Sequence, residues 1–303
     1  MFTRTIDHYR ITKEETITSA CELFGVSRQV YYRSKRALNK GQGRASKVID
    51  LVMSIRHQMP RIGTRKLYYI LEEQMRELGV GRDKLFSILK ANHMLIKPKK
   101  NYRTTTDSYH RFRKHKNLID GILPNRPEQI WVSDITYIGS RGNHRYLALV
   151  TDAYSKKIVG HDISTSLNAN GAIRALKMGL RKRKYRSESL IHHSDRGLQY
   201  CCDDYQQLLK NEKIKCSMTE SYSPYTNAIA ERVNGIIKHE FNIEKYDVKL
   251  PVLKDLIKES IKTYNENRPH LSCYMKTPVQ MHNQREIKIK TYKNKKHQQK
   301  RFC

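Results

Sequence analysis

Three acidic side chains stand out in a strongly basic chain: Asp134 in the apolar run IWVSDITYI, Asp195 in IHHSDRGLQY, and Glu231 in NAIAERVNGIIKHE. The first two fall within or just after strand candidates and the third on a helix candidate, with 35 residues between Asp195 and Glu231. Converging carboxylates suit divalent cations, because magnesium prefers hard oxygen ligands and keeps several waters. Two such ions, about 3.5–4 Å apart, activate an attacking oxygen and stabilise the leaving oxygen of a phosphodiester. Taken singly, each acid has a structural explanation: a sheet-edge acid at Asp134, a turn former before Gly197 at Asp195, a solvated helix residue at Glu231. Their order, their spacing and the following Lys238 favour the joint chemical reading.

At 100° per residue, Glu231, Asn234, Gly235 and Lys238 share one helix face, while Ile229, Val233, Ile236 and Ile237 cluster on the other. Glu231 thereby gains an apolar anchor, and Lys238 lies about 10 Å further along the axis, where it can hold a DNA phosphate.

The bulk composition points to the same class of ligand. The chain has 303 residues, 38% of them hydrophobic, and a net charge of +30 from 59 Lys+Arg against 29 Asp+Glu, spread along its length. Such a field favours a polyanion. No long apolar span, signal h-region or lipidation box supports a membrane surface, so nucleic acid is preferred. The six cysteines form no CxxC pair and no zinc-like spacing with histidine, which reads as reduced, cytosolic thiols.

The elements that must position the acids form an α/β core. QIWVSDITYI, YLALVTDAYS and KIVGHDIS read as three consecutive strands joined by short connections, hence antiparallel neighbours. A helix over about 168–184, a strand at SLIHHS, a helix over 203–211, a strand at KIKCSM and the Glu231 helix follow, which predicts a mixed sheet with helices on its faces. A last helix ends before Pro269.

Upstream, residues 12–38 read as two helices around a Gly25 turn, with Ser27 capping the second, the layout of a helix-turn-helix. Arg28, Gln29 and Arg33 would face DNA; a plain helical hairpin is the equal alternative. A Gly- and Lys-rich linker then precedes three helices over roughly 47–58, 64–77 and 82–91, a second DNA-binding unit or a helical adaptor, with Arg65 and Lys66 outward. The expected organisation is therefore 1–42, a helix-turn-helix-like segment; 46–96, a second helical module; 97–121, a basic linker; 122–285, the catalytic core; and 286–303, a basic tail.

WVSDITYI, HSDRGLQY and NAIAERVNGIIKHEF resemble the catalytic core of retroviral-integrase-type DDE transposases. With the later YNENRPH and TPVQ, the chain is similar to the second-frame product of the insertion-sequence-three family over most of its length. That resemblance implies an RNase H-like fold. It makes Asp134, Asp195 and Glu231 the ligands of two magnesium ions, with manganese substituting, and Lys238 a DNA contact. It further implies cleavage of double-stranded DNA at transposon ends and attack of the freed 3′-hydroxyl on a target phosphodiester, by a multimer on DNA. An upstream-frame partner, often fused by frameshifting, is also implied, as is a bacterial-type cytoplasm with the chain associated with the nucleoid. Thr226 stands where many relatives carry Asp. Other readings are a non-catalytic regulator derived from a transposase, a nuclease on the same fold, and a tyrosine recombinase, for which none of the 19 tyrosines is singled out beside an Arg and His cluster.

Overall fold

The computed structural model describes residues 2–97, 115–139, 144–219 and 228–289. Most of the basic linker, the tail from residue 290 and Thr226 lie outside the described residues. The chain divides into two compact units, Met1–Ile55 with Leu71–Leu95, and Arg56–Ile70 with Ile96–Cys303.

The second unit is built on a five-stranded mixed sheet ordered β3-β2-β1-β4-β5. Its strands are β1 (Ile130–Ile138), β2 (Arg145–Asp152), β3 (Ile158–Ser164), β4 (Ile191–Ser194) and β5 (Lys215–Met218). The first three form the antiparallel meander expected from the sequence, and β4 and β5 add in parallel on the other side of β1. This is the RNase H-like arrangement.

Helices α7 (Ala169–Arg181), α8 (Leu198–Cys201) and α9 (Asp203–Asn211) accompany the sheet. Trp131, Val150, Leu176, Tyr205 and Met218 belong to one buried cluster with them. Contact between α7 and β3 is so close that a Cβ on Gly160 would stand 2.0 Å from the Ala175 carbonyl oxygen. A second cluster, Ile130, Val132, Ala153 and Ala230, seats helix α10 (Ala228–Gly235) against the sheet.

Helix α11 (Leu250–Glu266) stops where Asn267 and Arg268 precede Pro269, as the sequence predicts. Its end contains the YNENRPH word. Asn265 takes a hydrogen bond from the Ile158 N–H and gives one to the Ile158 carbonyl, both at 3.0 Å, and the Tyr264 hydroxyl donates to the Lys156 carbonyl at 2.8 Å. TPVQ opens α12 (Pro278–His282) as a capping box between Thr277 and Gln280.

The first unit contains α1 (Phe2–Lys13), α2 (Ile17–Leu23) and most of α3 (Arg28–Gln58), together with α5 (Glu72–Glu77) and α6 (Arg82–Ala91). Ile6, Ala20, Cys21 and Tyr31 form its N-terminal core. Ser27 Oγ accepts the Val30 N–H at 3.4 Å, the cap read from the sequence. The linker expected between 42 and 46 is absent: α3 runs through Gly41 and Gly43 without a break. Each glycine costs a helix about 1 kcal/mol relative to alanine, which the flanking Lys, Gln, Arg and Ala residues tolerate with no proline nearby.

The module expected over 46–96 is likewise not one compact unit. Its helix over 64–77 is interrupted at Leu71, and α4 (Thr64–Ile70) falls in the unit that holds the sheet. Among the described residues, no helix is long and apolar enough to cross a membrane.

Candidate active site

Strand β1 lies in the middle of the sheet because its Ile130, Trp131 and Val132 are buried, and it delivers Asp134 to a half-buried position further along. Its parallel partner β4 pairs Val132 with His193. Asp195 follows directly on the last residue of β4, and its charge is felt at Asp134. Beyond β4 the chain turns on Asp195 itself, whose Oδ1 accepts the Gly197 N–H at 3.0 Å. A Cβ at Gly197 would stand 2.9 Å from Gln199 Oε1 and 3.1 Å from Asp195 Oδ1, so a larger residue would crowd this turn.

Helix α10 brings the third acid. Ala230 and Val233 are buried, while Glu231 in the first turn stays exposed. One turn further on, Asn234 is 3% exposed and donates from Nδ2 to Asp134 Oδ2 at 2.7 Å. Its position three residues after Glu231 was visible in the sequence, but nothing there distinguished a buried amide aimed at a carboxylate from a polar surface residue.

The electrostatics tie the acids together. Burial, then the charge of Asp195, push the Asp134 carboxyl up to about 7; the Asn234 hydrogen bond opposes this and Glu231 adds to it. Three hard-oxygen donors that repel one another fit a divalent cation. Among the described residues, no group of three His, Cys, Asp or Glu side chains is gathered so as to hold a metal ion. The charges of Asp195 and Glu231 nevertheless reach Asp134.

His192 and His193, adjacent to this site in sequence, belong to the core. His192 Nε2 lies 2.8 Å from Ser133 Oγ and 2.9 Å from the Tyr205 hydroxyl, and burial pushes its pKa down to about 3. His193 Nδ1 lies 2.9 Å from Ser217 Oγ, and burial takes its pKa to about 4. Both rings are neutral at physiological pH.

The expected DNA contacts fall in different settings. Arg28 and Arg33 are exposed on α3, and Arg65 is exposed on α4. Lys66 does not face outward as expected. It points to Glu240, 3.7 Å from Oε2, and burial followed by the charge of Arg268 lowers its pKa to about 8. Lys238 is half-buried in a π turn over Ile236–Glu240, which directly follows α10. The wider turn breaks the regular spacing assumed from the sequence.

A mixed sheet of this order, with one acid on β1, one just past its parallel neighbour β4 and a third on a helix packed against the sheet, fits a polynucleotidyl transferase of the integrase class. Known proteins agree with that class: the family described as "Integrase core domain" matches residues 124–224, and a second family of the same description matches 212–278. The insertion element IS600 31 kDa protein of Shigella sonnei is 32% identical over 257 residues, covering 82% of this chain and 92% of that protein. The transposase InsF for insertion sequence IS3A of Escherichia coli K12 is 27% identical over 276 residues, 89% of this chain and 95% of that one. The chain belongs to the insertion-sequence-three family of transposases. It is a DDE transposase with an integrase-type core.

Solved structures with a similar fold include the integrase catalytic core of HTLV-2 in complex with magnesium, 22% identical with a TM-score of 0.40, covering 52% of this chain and 97% of that one. Another is a chain of the simian T-cell lymphotropic virus intasome, 19% identical with a TM-score of 0.46, covering 76% and 78%. The relatives lend no support to the regulator reading.

Proposed function

We propose that Asp134, Asp195 and Glu231 are the catalytic carboxylates and hold two magnesium ions, manganese substituting, while the chain cuts DNA at transposon ends and joins the freed 3′-hydroxyl to a target phosphodiester. What supports this reading is the Asn234 hydrogen bond from the Glu231 helix to Asp134, with the charges of Asp195 and Glu231 both raising the Asp134 pKa. Bound there, the divalent ions supply Lewis acidity to the attacking and leaving oxygens.

The chain's own groups position the acids. Asn234 holds one Asp134 oxygen and so fixes the carboxylate's orientation. Exposed Glu231 would be the ligand contributed by the helix. In cleavage, water displaces the 3′-oxygen; in joining, that 3′-hydroxyl displaces an oxygen of the target strand. No bond to the protein forms at either step. Arg28, Arg33 and Arg65 serve as phosphate contacts with Lys238, and the active form is a multimer on two DNA ends, alone or with an upstream-frame partner.

The test is strand transfer by the purified chain on labelled DNA carrying the terminal repeats of its element. Asp134→Ala, Asp195→Ala and Glu231→Gln should each abolish magnesium-dependent joining while DNA binding persists. Near-normal joining by any one variant removes that residue from the site.

A further inference from the structure

Beside α10, on a flank away from Asn234 and Asp134, lies a cavity of about 320 Å³ that the carboxylate chemistry leaves unused. Its wall is apolar where Ile229, Val233, Ile236 and Leu271 line it, and cationic where Lys66, Lys156, Arg232 and Arg268 do. No carboxylate lines it among the described residues.

The four cations differ in how well they are satisfied. Arg268 gives two hydrogen bonds of 2.8 Å to the Glu240 carboxylate, with Lys66 also leaning on Oε2 of that acid. Lys156 Nζ donates only to a backbone carbonyl, that of Ala153. Arg232 is exposed and makes no hydrogen bond among the described residues. One acid therefore serves two of the cations, and the cavity keeps an excess of positive charge. Burial, followed by the charge of Arg268, depresses the pKa of Lys66 there.

An inorganic anion would satisfy the cations and leave the apolar wall uncovered. Cavities of this size hold a small organic ligand, oriented by a few polar groups against an apolar surface. A nucleotide of a DNA strand has both halves and is what a transposase has at hand. We propose that this cavity binds one nucleotide of the DNA strand, its phosphate on Arg232 and Lys66 and its base, withdrawn from the stack, on Ile229, Val233 and Leu271. Arg232 follows Glu231 directly, about 100° round the helix, so the helix that offers Glu231 to the reacting phosphodiester would grip the strand a short distance away. This inference rests on the DNA-joining reading above.

The experiment uses the full chain as Glu231→Gln, which binds DNA without joining it, and terminal-repeat DNA carrying 2-aminopurine at successive positions. Emission should rise at one position on binding, as the base leaves the stack. Adding Arg232→Ala or Leu271→Asp should remove that rise and weaken binding about tenfold, whereas Arg232→Lys keeps it. Leu271 is 47% exposed, so its replacement leaves no core hole. A deoxynucleoside monophosphate should compete at concentrations where inorganic phosphate does not.

Absence of brightening at every position, or brightening and affinity unchanged by Arg232→Ala, overturns the proposal. Equal competition by inorganic phosphate overturns it in favour of a bare anion site. Joining of DNA by Glu231→Gln would instead overturn the carboxylate assignment, a result distinct from any of these.

Discussion

Replacing Asn234 by leucine tests whether the Asp134 carboxylate is held for metal binding. The two side chains share the same branched heavy-atom skeleton, so leucine is the nearest apolar replacement, and the amide donor is lost. That donor lies 2.7 Å from Asp134 Oδ2 and is 3% exposed, so water does not readily replace it. A hydrogen bond to a charged acceptor is worth about 1.5–3 kcal/mol. Taking about 2 kcal/mol, the variant should bind its metal about 30-fold more weakly, within the range found for groups that orient a metal ligand. Strand transfer measured against magnesium concentration should show the half-saturating concentration rising by that factor, with much of the rate recovered at high metal. DNA affinity, read by anisotropy, should not change. A half-saturating concentration within about twofold of wild type, whatever the rate, would refute the reasoning.

Other expectations concern the scaffold. Glu240→Gln leaves buried Arg268 without its carboxylate and should cost about 3–5 kcal/mol in denaturant unfolding; a loss under about 1 kcal/mol would mean that His270 and Tyr264 suffice. His282 is buried with Ser155, Asp152 and Glu128. Burial pushes its pKa down, but the hydrogen bonds to Asp152 and Glu128 outweigh this and hold it above the ordinary histidine value. Its stabilisation is thus full below about pH 6.5 and is lost as pH rises through the folded pKa. The Tm difference between wild type and His282→Asn should accordingly be wide near about pH 6 and narrow by about pH 9; a constant difference would count against it. Gly160→Ala drives a methyl into the Ala175 carbonyl and should destabilise by about 3 kcal/mol or prevent folding, which the soluble yield and Tm report.

What could be read from the sequence follows what local patterns encode. Strands β1 to β3 appear within about three residues of their expected bounds, and α6 starts and ends where expected, because alternation, apolar runs and turn residues are local signals. Asp134, Asp195 and Glu231 drew attention for the same reason, as acids inside or beside apolar runs. Helix α1 was not. FTRTIDHYRITK offers Ile6 and Tyr9 as its apolar grip, and its hold comes from distant Tyr31 and Lys35, both hydrogen-bonded to Asp7. The interruption at Leu71, the turning of Lys66 toward Glu240 and the π turn after α10 are also products of tertiary contact. Asn234 was placed on the right face and given no role, since burial decides its role and a single sequence does not reveal burial.

The word YNENRPH was legible as a motif and silent about mechanism. Its Tyr264 and Asn265 bind the backbone where β3 begins, while Arg268 grips Glu240, the last residue of the π turn that continues the Glu231 helix. The helix is therefore fastened to β1 through Asn234 and Asp134, and to the α11 end through Glu240 and Arg268, with Ala230, Val233 and Ile237 buried along its length. An exposed carboxylate on a free helix would wander by more than the fraction of an ångström that a catalytic constellation tolerates. Fastened on both sides, Glu231 keeps its rotamer freedom but not freedom of position. If Glu231 serves as proposed, the ion pair at Arg268 positions it from a distance, and the conservative Arg268→Lys, which keeps the charge and loses the fork of two hydrogen bonds, should lower the joining rate more than it lowers DNA affinity.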